Sequence, residues 1–286
     1  MDQQNTAPGS RPRLALFRRQ RTLFFGALIA VFALLFAGVA TASANSGGHH
    51  PVPQPNPSAT PRSADQIPNI TLVENEIKAY YDDTLVGTDH VPSKTGNYAK
   101  EVAGIEKIAQ RYLATAHVSH SSKAKKAVVF DIDDTTLNTY NYEIFSSFAY
   151  NPTTNAEYVN DARFPEVYGM PALVNWANSR GYTVFFITGR PEAQRPGTVT
   201  NLAKVGYTVP TDPAHLYLKY AAGSQPAYIT CAAAACTTIE YKSQTRKHIE
   251  SLGYDIVANF GDQFSDLSGG FADRDFKMPN PMYYLP

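Results

Sequence analysis

A few short apolar runs, each stopping at a loop able to carry chemistry, constrain this chain most. Lys126-Ala127-Val128-Val129-Phe130 is of strand length and ends on Asp131-Ile132-Asp133-Asp134-Thr135-Thr136. Tyr182 to Ile187 ends on Thr188-Gly189-Arg190, and Asp255 to Phe260 ends on Gly261-Asp262-Gln263-Phe264-Ser265-Asp266. A shorter run, His215 to Leu218, lies between these two. Runs this apolar suit strands buried on both faces. Segments of helical spacing separate them: 71–85, 97–120, 171–180 before Gly181, 190–205 before Gly206, and 243–252 before Gly253. The alternation predicts an α/β fold with a central parallel sheet covered on both faces, its site at the carboxyl ends of the strands.

The front of the chain stands outside this alternation. Arg11, Arg13, Arg18, Arg19 and Arg21 precede an apolar run, Leu23 to Ala40, which exits through Thr41-Ala42-Ser43-Ala44. Residues 1–44 therefore read as a secretory signal peptide cut after Ala44. The apolar run is also long enough to remain as an uncleaved membrane anchor, but the Ala-x-Ala exit favours cleavage. Residues 45–68, with His49, His50 and five prolines between Pro51 and Pro61, read as an extended Pro-rich linker with solvated histidines. That leaves 69–286 as one domain in an extracytoplasmic setting. Lys+Arg and Asp+Glu balance at 25 each, which argues against a nucleic-acid partner. Membrane contact is expected only through a retained N-terminal segment, and nothing marks an oligomer interface. Two cysteines are too few for a disulfide scaffold or a Cys-rich zinc site. Cys231 and Cys236 flank four alanines; in an exported chain they pair as a disulfide, the alternative being two unlinked thiols.

Carboxylates gathered at strand ends call for a compensating cation. Oxygen donors select a hard divalent ion, Mg²⁺ beside phosphate, with Mn²⁺ also accepted. Asp131 and Asp133 are one residue apart and share a side of an extended chain. The first suits a nucleophile that takes up a phosphoryl group, the second a general acid/base. The cation would bridge Asp131, the carbonyl of Asp133 and Asp262. Thr188 and the Gly189 amide would bond phosphoryl oxygens, and a lysine would complete the clamp.

These residues carry a resemblance. Asp-Ile-Asp-Asp-Thr, Ile-Thr-Gly-Arg, Tyr241-Lys242-Ser243 and Gly-Asp-Gln-Phe-Ser-Asp-Leu resemble, in order, the four motifs of the haloacid dehalogenase superfamily. The chain is most similar to its acid phosphatases of the class B and plant vegetative-storage-protein type, subfamily IIIB, from about Val73 to the end and including the tail Phe276 to Tyr284. The resemblance implies a Rossmann-like three-layer sandwich with N-terminal helices beside it and a small cap. It implies that Asp131 is the nucleophile, Asp133 the acid/base, and Thr188 the phosphate-binding hydroxyl. Lys242 would hold phosphate and steady the nucleophile, and Asp262 would ligate the metal. Asp266 would act through water or by orienting Lys242. Lys219, which also follows a strand, is the rival lysine; the Lys-Ser-Gln setting favours Lys242.

Other residues take plainer roles. Asp134 is expected to cap its turn, and Thr135 to bond Asp131 or cap the next segment. Arg190 is expected to pair with a structural carboxylate, and His117, His120, His215 and His248 to lie on the surface or in packing. Between Thr136 and Tyr182 there is room for short helices but not for a separate cap domain. Its aromatics, Tyr140, Tyr142, Phe145, Phe148, Tyr150 and Tyr158, divide between core and site entrance. The expected protein is an Mg²⁺-dependent acid phosphatase acting broadly on small phosphomonoesters under mildly acidic conditions. The alternatives are a phosphotransferase sharing the intermediate and a storage or binding protein on the same fold, against which the retained Asp131 stands.

Overall fold

The computed structural model describes residues 60–285 apart from 62 and 119–122. The expected signal peptide or anchor, most of the linker, and His49, His50 and His120 lie outside the described residues. No helix among the described residues is long and apolar enough to cross a membrane.

Helix α1 (Ile70–Tyr81) starts where the Asn69 side chain accepts from the amides of Thr71 and Leu72. It stops at Asp82, whose φ of 48° breaks the helix. Thr84 and Leu85, expected to continue it, instead enter a hairpin of β1 (Thr84–Val86) and β2 (Asp89–Val91). Next come α2 (Asn97–Thr115), β3 (Lys125–Phe130), α3 (Tyr140–Phe145), α4 (Pro152–Asn160) and α5 (Met170–Ser179). The chain continues through β4 (Thr183–Pro191), α6 (Arg195–Lys204), β5 (Leu216–Lys219) and α7 (Thr238–Ser251). It ends with β6 (Tyr254–Gly261), α8 (Phe264–Leu267) and β7 (Asp275–Lys277).

Five parallel strands form the sheet in the order β5-β4-β3-β6-β7. The sequence pattern contained four of them; β7, only three residues long, escaped it. Side chains alternate between two cores, as the two-residue period of a strand requires. Val128, Phe130, Val184 and Phe186 join a core with residues of α1, α2, α5 and α6. Ala127, Val129, Phe185 and Ile187 join the other, beneath Tyr241 and Ile249 of α7. Helices thus cover both faces, giving three layers. Phe130, Phe260 and Phe276 stack across β3, β6 and β7 with centroids 4.5 and 4.7 Å apart, just below the acidic loops.

Two boundaries differ from the sequence pattern in ways that matter. The segment read as a helix from 190 begins as strand: β4 runs on to Pro191, and α6 starts at Arg195 with Pro196 in its first turn. Helix α7 starts five residues before Ser243, because Thr237 and Glu240 form a reciprocal capping box.

Glu106 on α2 is a weak point of this packing. Its Oε1 is buried without a hydrogen-bond partner, and burial pushes its carboxyl up to about 8. The fold keeps this proton where the unfolded chain, at about pH 4.3, has released it, so stability falls as pH rises between those values. Glu106→Gln should raise the thermal midpoint by a few degrees at pH 8 and leave it nearly unchanged at pH 4. An equal shift at both pH values would contradict this account.

Candidate active site

The sheet register brings the two main acidic loops together. Phe130 lies opposite Phe260, and the Asp131 amide donates to the Phe260 carbonyl at 2.9 Å. Asp131 and Asp262 therefore leave neighbouring strands side by side, where the strand order reverses about β3. Helix α8 then turns Asp266 back against Gly261, so tightly that a Cβ on Gly261 would overlap the Asp266 side chain. One carboxylate oxygen from each of Asp131, Asp262 and Asp266 falls within 4.8 Å of the others, and all three residues are buried.

Lys242 enters this cluster from α7. Its Nζ donates to Asp131 Oδ1 and, at 2.6 Å, to Asp266 Oδ1. Several bonds fix the start of α7. Glu240 accepts from the amide of Ala232 at 2.9 Å, within the loop closed by the Cys231–Cys236 disulfide. Gln244 accepts from the amide of Thr230 at 2.8 Å and donates to its carbonyl at 2.7 Å. One turn beyond Lys242, buried Arg246 donates to the carbonyls of Asp266, Ser268 and Gly270 at 2.5–2.8 Å and so holds the loop around α8. Lys219 ends β5 half-buried; burial and the charge of Lys242 lower its pKa. Among the described residues it makes no hydrogen bond to Asp131.

A second cation, Arg190, grips Asp133. Its Nε donates to Oδ2 at 3.0 Å and its Nη2 to Oδ1 at 2.6 Å, while Nη1 donates to Thr198 Oγ1 at 2.9 Å. The guanidinium is buried and faces the Phe164 ring at 5.3 Å. The carboxylate that Arg190 was expected to meet is therefore Asp133 itself. The carboxylate of Asp133 consequently stands outside the three-acid cluster, which contains Asp266 where the sequence set named Asp133. The carbonyl of Asp133, the atom assigned to the cation, is unaffected by this pairing.

The remaining donors sort the oxygens of the cluster. Both oxygens of Asp266 are engaged, Oδ1 by Lys242 and Oδ2 by the Gln263 amide at 2.9 Å. Asp262 Oδ2 accepts from Gln263 Nε2 and Asn280 Nδ2, each at 2.7 Å. Among the described residues Asp262 Oδ1 has only the Thr135 hydroxyl at 3.4 Å, so Thr135 meets Asp262 rather than Asp131. Asp131 Oδ2 accepts no hydrogen bond among the described residues. Three buried carboxylates, one ammonium and two poorly satisfied oxygens fit a hard divalent cation.

Asp134 turns out of the cluster with φ 51°. Its Oδ1 accepts from the Thr139 amide at 3.0 Å; its Oδ2 accepts from the Tyr283 hydroxyl at 2.8 Å and from the Thr139 hydroxyl. Thr188 is buried and its Oγ1 accepts from the Arg190 amide at 3.2 Å, with exposed Gly189 beside it. Burial pushes the Asp131 carboxyl up, opposed by Lys242. Burial, then the charges of Asp266 and Asp134, push Asp262 up to about 8. Burial pushes Asp134 up to about 7 against its hydrogen bonds.

Sequence reasoning assigned no role to Arg246, Gln263, Asn280 or Tyr283. Arg246 had a usable signal: it lies four residues after Lys242 and so shares its helix face. Asn280 and Tyr283 had none beyond the resemblance of the tail.

Residues 56–286 match the family model described as HAD superfamily, subfamily IIIB (Acid phosphatase). The chain is 27% identical over 228 residues to acid phosphatase 1 of Solanum lycopersicum, covering 74% of this chain and 76% of that protein. It is 29% identical over 224 residues to vegetative storage protein 1 of Arabidopsis thaliana, covering 77% and 74%. Its fold is similar to that of the class C acid phosphatase from Bacillus anthracis, with a TM-score of 0.55 at 21% identity over 74% of this chain and 86% of that one. The chain belongs to the acid phosphatases of haloacid dehalogenase subfamily IIIB.

Proposed function

We propose that this chain is an extracytoplasmic phosphomonoesterase that works through a phosphoryl group carried on Asp131. The observation that carries the reading is the Lys242 ammonium held between Asp131 and Asp266, with Asp262 beside them and Asp133 kept apart by Arg190. Asp131, Asp262 and the Asp133 carbonyl would hold Mg²⁺ or Mn²⁺, which when bound lowers the negative charge that otherwise keeps a phosphate from a carboxylate.

Asp131 attacks phosphorus, and the bond from phosphorus to the ester oxygen breaks. Asp133 gives its proton to the departing alkoxide, so an alcohol leaves. Asp133 then takes a proton from a water molecule that attacks the phosphoryl-aspartate, which releases inorganic phosphate and restores the Asp131 carboxylate. Lys242 carries positive charge to both anions throughout, and Thr188 with the Gly189 amide bonds the phosphoryl oxygens. Arg190 keeps the Asp133 carboxyl aimed at the ester oxygen. For the whole chain we propose a signal peptide over 1–44, a linker over 45–68 and the catalytic domain over 69–286. The basic-apolar-small pattern at the front and the Cys231–Cys236 disulfide support export.

Asp131→Asn should reduce hydrolysis of 4-nitrophenyl phosphate by at least about a thousandfold, and rapid acid quenching of wild type should trap acid-stable phosphate on Asp131. Phosphate trapped on any other residue sinks the reading. Lys242→Met should lower kcat by at least about a hundredfold and Lys219→Met by only a few-fold; the reverse order would identify Lys219 as the working lysine.

The acidic cluster also predicts how metal and pH interact. Asp262 and Asp134 stay protonated in the metal-free fold up to about 8 and about 7, whereas the unfolded chain releases these protons near pH 4. Metal-free protein should thus lose stability as pH rises from about 4 to about 8. Mg²⁺, which binds the ionised acids, should raise the thermal midpoint by several degrees at pH 8 and by much less at pH 5. A midpoint insensitive to Mg²⁺ at pH 8 would count against the cation site.

A further inference from the structure

Glu143 is a buried carboxyl that the proposed chemistry leaves unused. It lies within α3 with 6% of its surface exposed. Thr139, just before α3, donates its amide and hydroxyl to Asp134, and the Glu143 amide closes the first turn on the Thr139 carbonyl at 3.1 Å. Residues four apart share a helix face, so Glu143 stands above Thr139 on the side of the Asp133–Asp134 loop. The Glu143 carbonyl is tied to the Phe148 amide at 2.7 Å and the Ser146 hydroxyl at 3.2 Å. Ser147 and Phe148, both with φ 55°, then reverse the chain toward Tyr150. The Glu143 carboxyl and the Tyr150 phenol both feel the charge of Asp133. Burial and that charge push the Glu143 carboxyl up to about 7.

Three carboxyls therefore meet at this corner, and they are not equally served. Asp133 has Arg190, and Asp134 has Thr139 and Tyr283. Among the described residues the Glu143 side chain has no hydrogen-bond or ion-pair partner. Its carboxyl oxygens are not sealed from solvent, so a donor on a bound ligand can reach them.

We propose that Glu143 is a specificity-determining residue for the leaving alcohol, its carboxyl accepting a hydrogen bond from a hydroxyl or ammonium group that the alcohol carries close to the ester oxygen. The inference rests on the proposed function, because Asp133 marks the side from which the alcohol departs. Esters whose leaving group is a diol, polyol or amino alcohol gain this contact. An alkyl ester of the same length buries its last carbon against the unpaired acid.

Three esters of matched length test it: 2-hydroxyethyl phosphate, O-phosphoethanolamine and propyl phosphate. Assayed above about pH 7, where the Glu143 carboxyl is ionised, wild type should favour the first two over propyl phosphate by about tenfold or more in kcat/KM, the range for a hydrogen bond to a charged group. In Glu143→Ala the ratio should collapse to within about twofold of unity. In Glu143→Gln, which keeps the size and a carbonyl acceptor but not the charge, the hydroxyl preference should partly survive and the ammonium preference should vanish. An unchanged ratio in Glu143→Ala, or all three esters slowed alike, assigns Glu143 a structural role and overturns the proposal. So does a wild type indifferent among the three. Should Glu143→Ala fail to fold, retention of the full ammonium preference in Glu143→Gln overturns it equally. Failure of wild type to hydrolyse these esters and 4-nitrophenyl phosphate would instead remove the phosphatase reading itself.

Discussion

The Lys242 ammonium between Asp131 and Asp266 is the contact on which the other arrangements converge. It joins the end of a central strand, a helix that starts far along the chain, and a loop that must fold back on its own strand. Each of those three has its own device. The β3–β6 register delivers Asp131 beside Asp262. The Thr237–Glu240 box sets where α7 begins, and with it the turn on which Lys242 sits. Gly261 leaves the space into which Asp266 returns. Arg246, on the same face of α7, binds the carbonyls of the Asp266 loop and so ties that loop to the helix that carries Lys242.

Charge explains why two cations and not one serve this corner. A lone buried carboxylate is strongly unfavourable, and like charges within a few ångströms make it worse. Lys242 compensates the pair Asp131 and Asp266. Arg190, through a two-point grip, compensates Asp133 and aims it. The separation gives two neighbouring aspartates different cation partners, Lys242 for Asp131 and Arg190 for Asp133. Had both cations met the same acid, the other would be left as an unpaired buried charge.

The legible part of this molecule was the part governed by local pattern. Strands apolar on both faces announce a covered parallel sheet, and the acids at their ends announce where chemistry sits. Boundaries failed where polar residues remain in a strand: Thr188 to Arg190 reads as a strand-end loop running into a helix from 190, yet β4 carries Arg190 to Asp133 in extended form. The β1–β2 hairpin was missed because its strands are three residues each and its apolar Leu85 and Val86 are exposed. At the site, residue types were legible but partners were not. Lys242 and Asp131 are 111 positions apart, and Arg190 and Asp133 are 57 apart. No spacing rule says which acid each cation will meet, or that Glu143 meets none.

The C-terminal tail shows why such partners matter although they carry no charge. Asn280 donates to Asp262 Oδ2 and Tyr283 donates to Asp134 Oδ2, the latter across 149 positions. Gln263 adds a second bond to Asp262 and is itself held by Leu285, whose amide donates to Gln263 Oε1 at 2.9 Å. These neutral donors engage Asp262 Oδ2 and Asp134 Oδ2. Among the described residues Asp131 Oδ2 and Asp262 Oδ1 remain poorly satisfied. Satisfying them with further protein donors would stabilise the fold but leave fewer free oxygens for a cation. The tail thus offsets part of the burial penalty of the acids while preserving the one gap in their hydrogen bonding that chemistry can use.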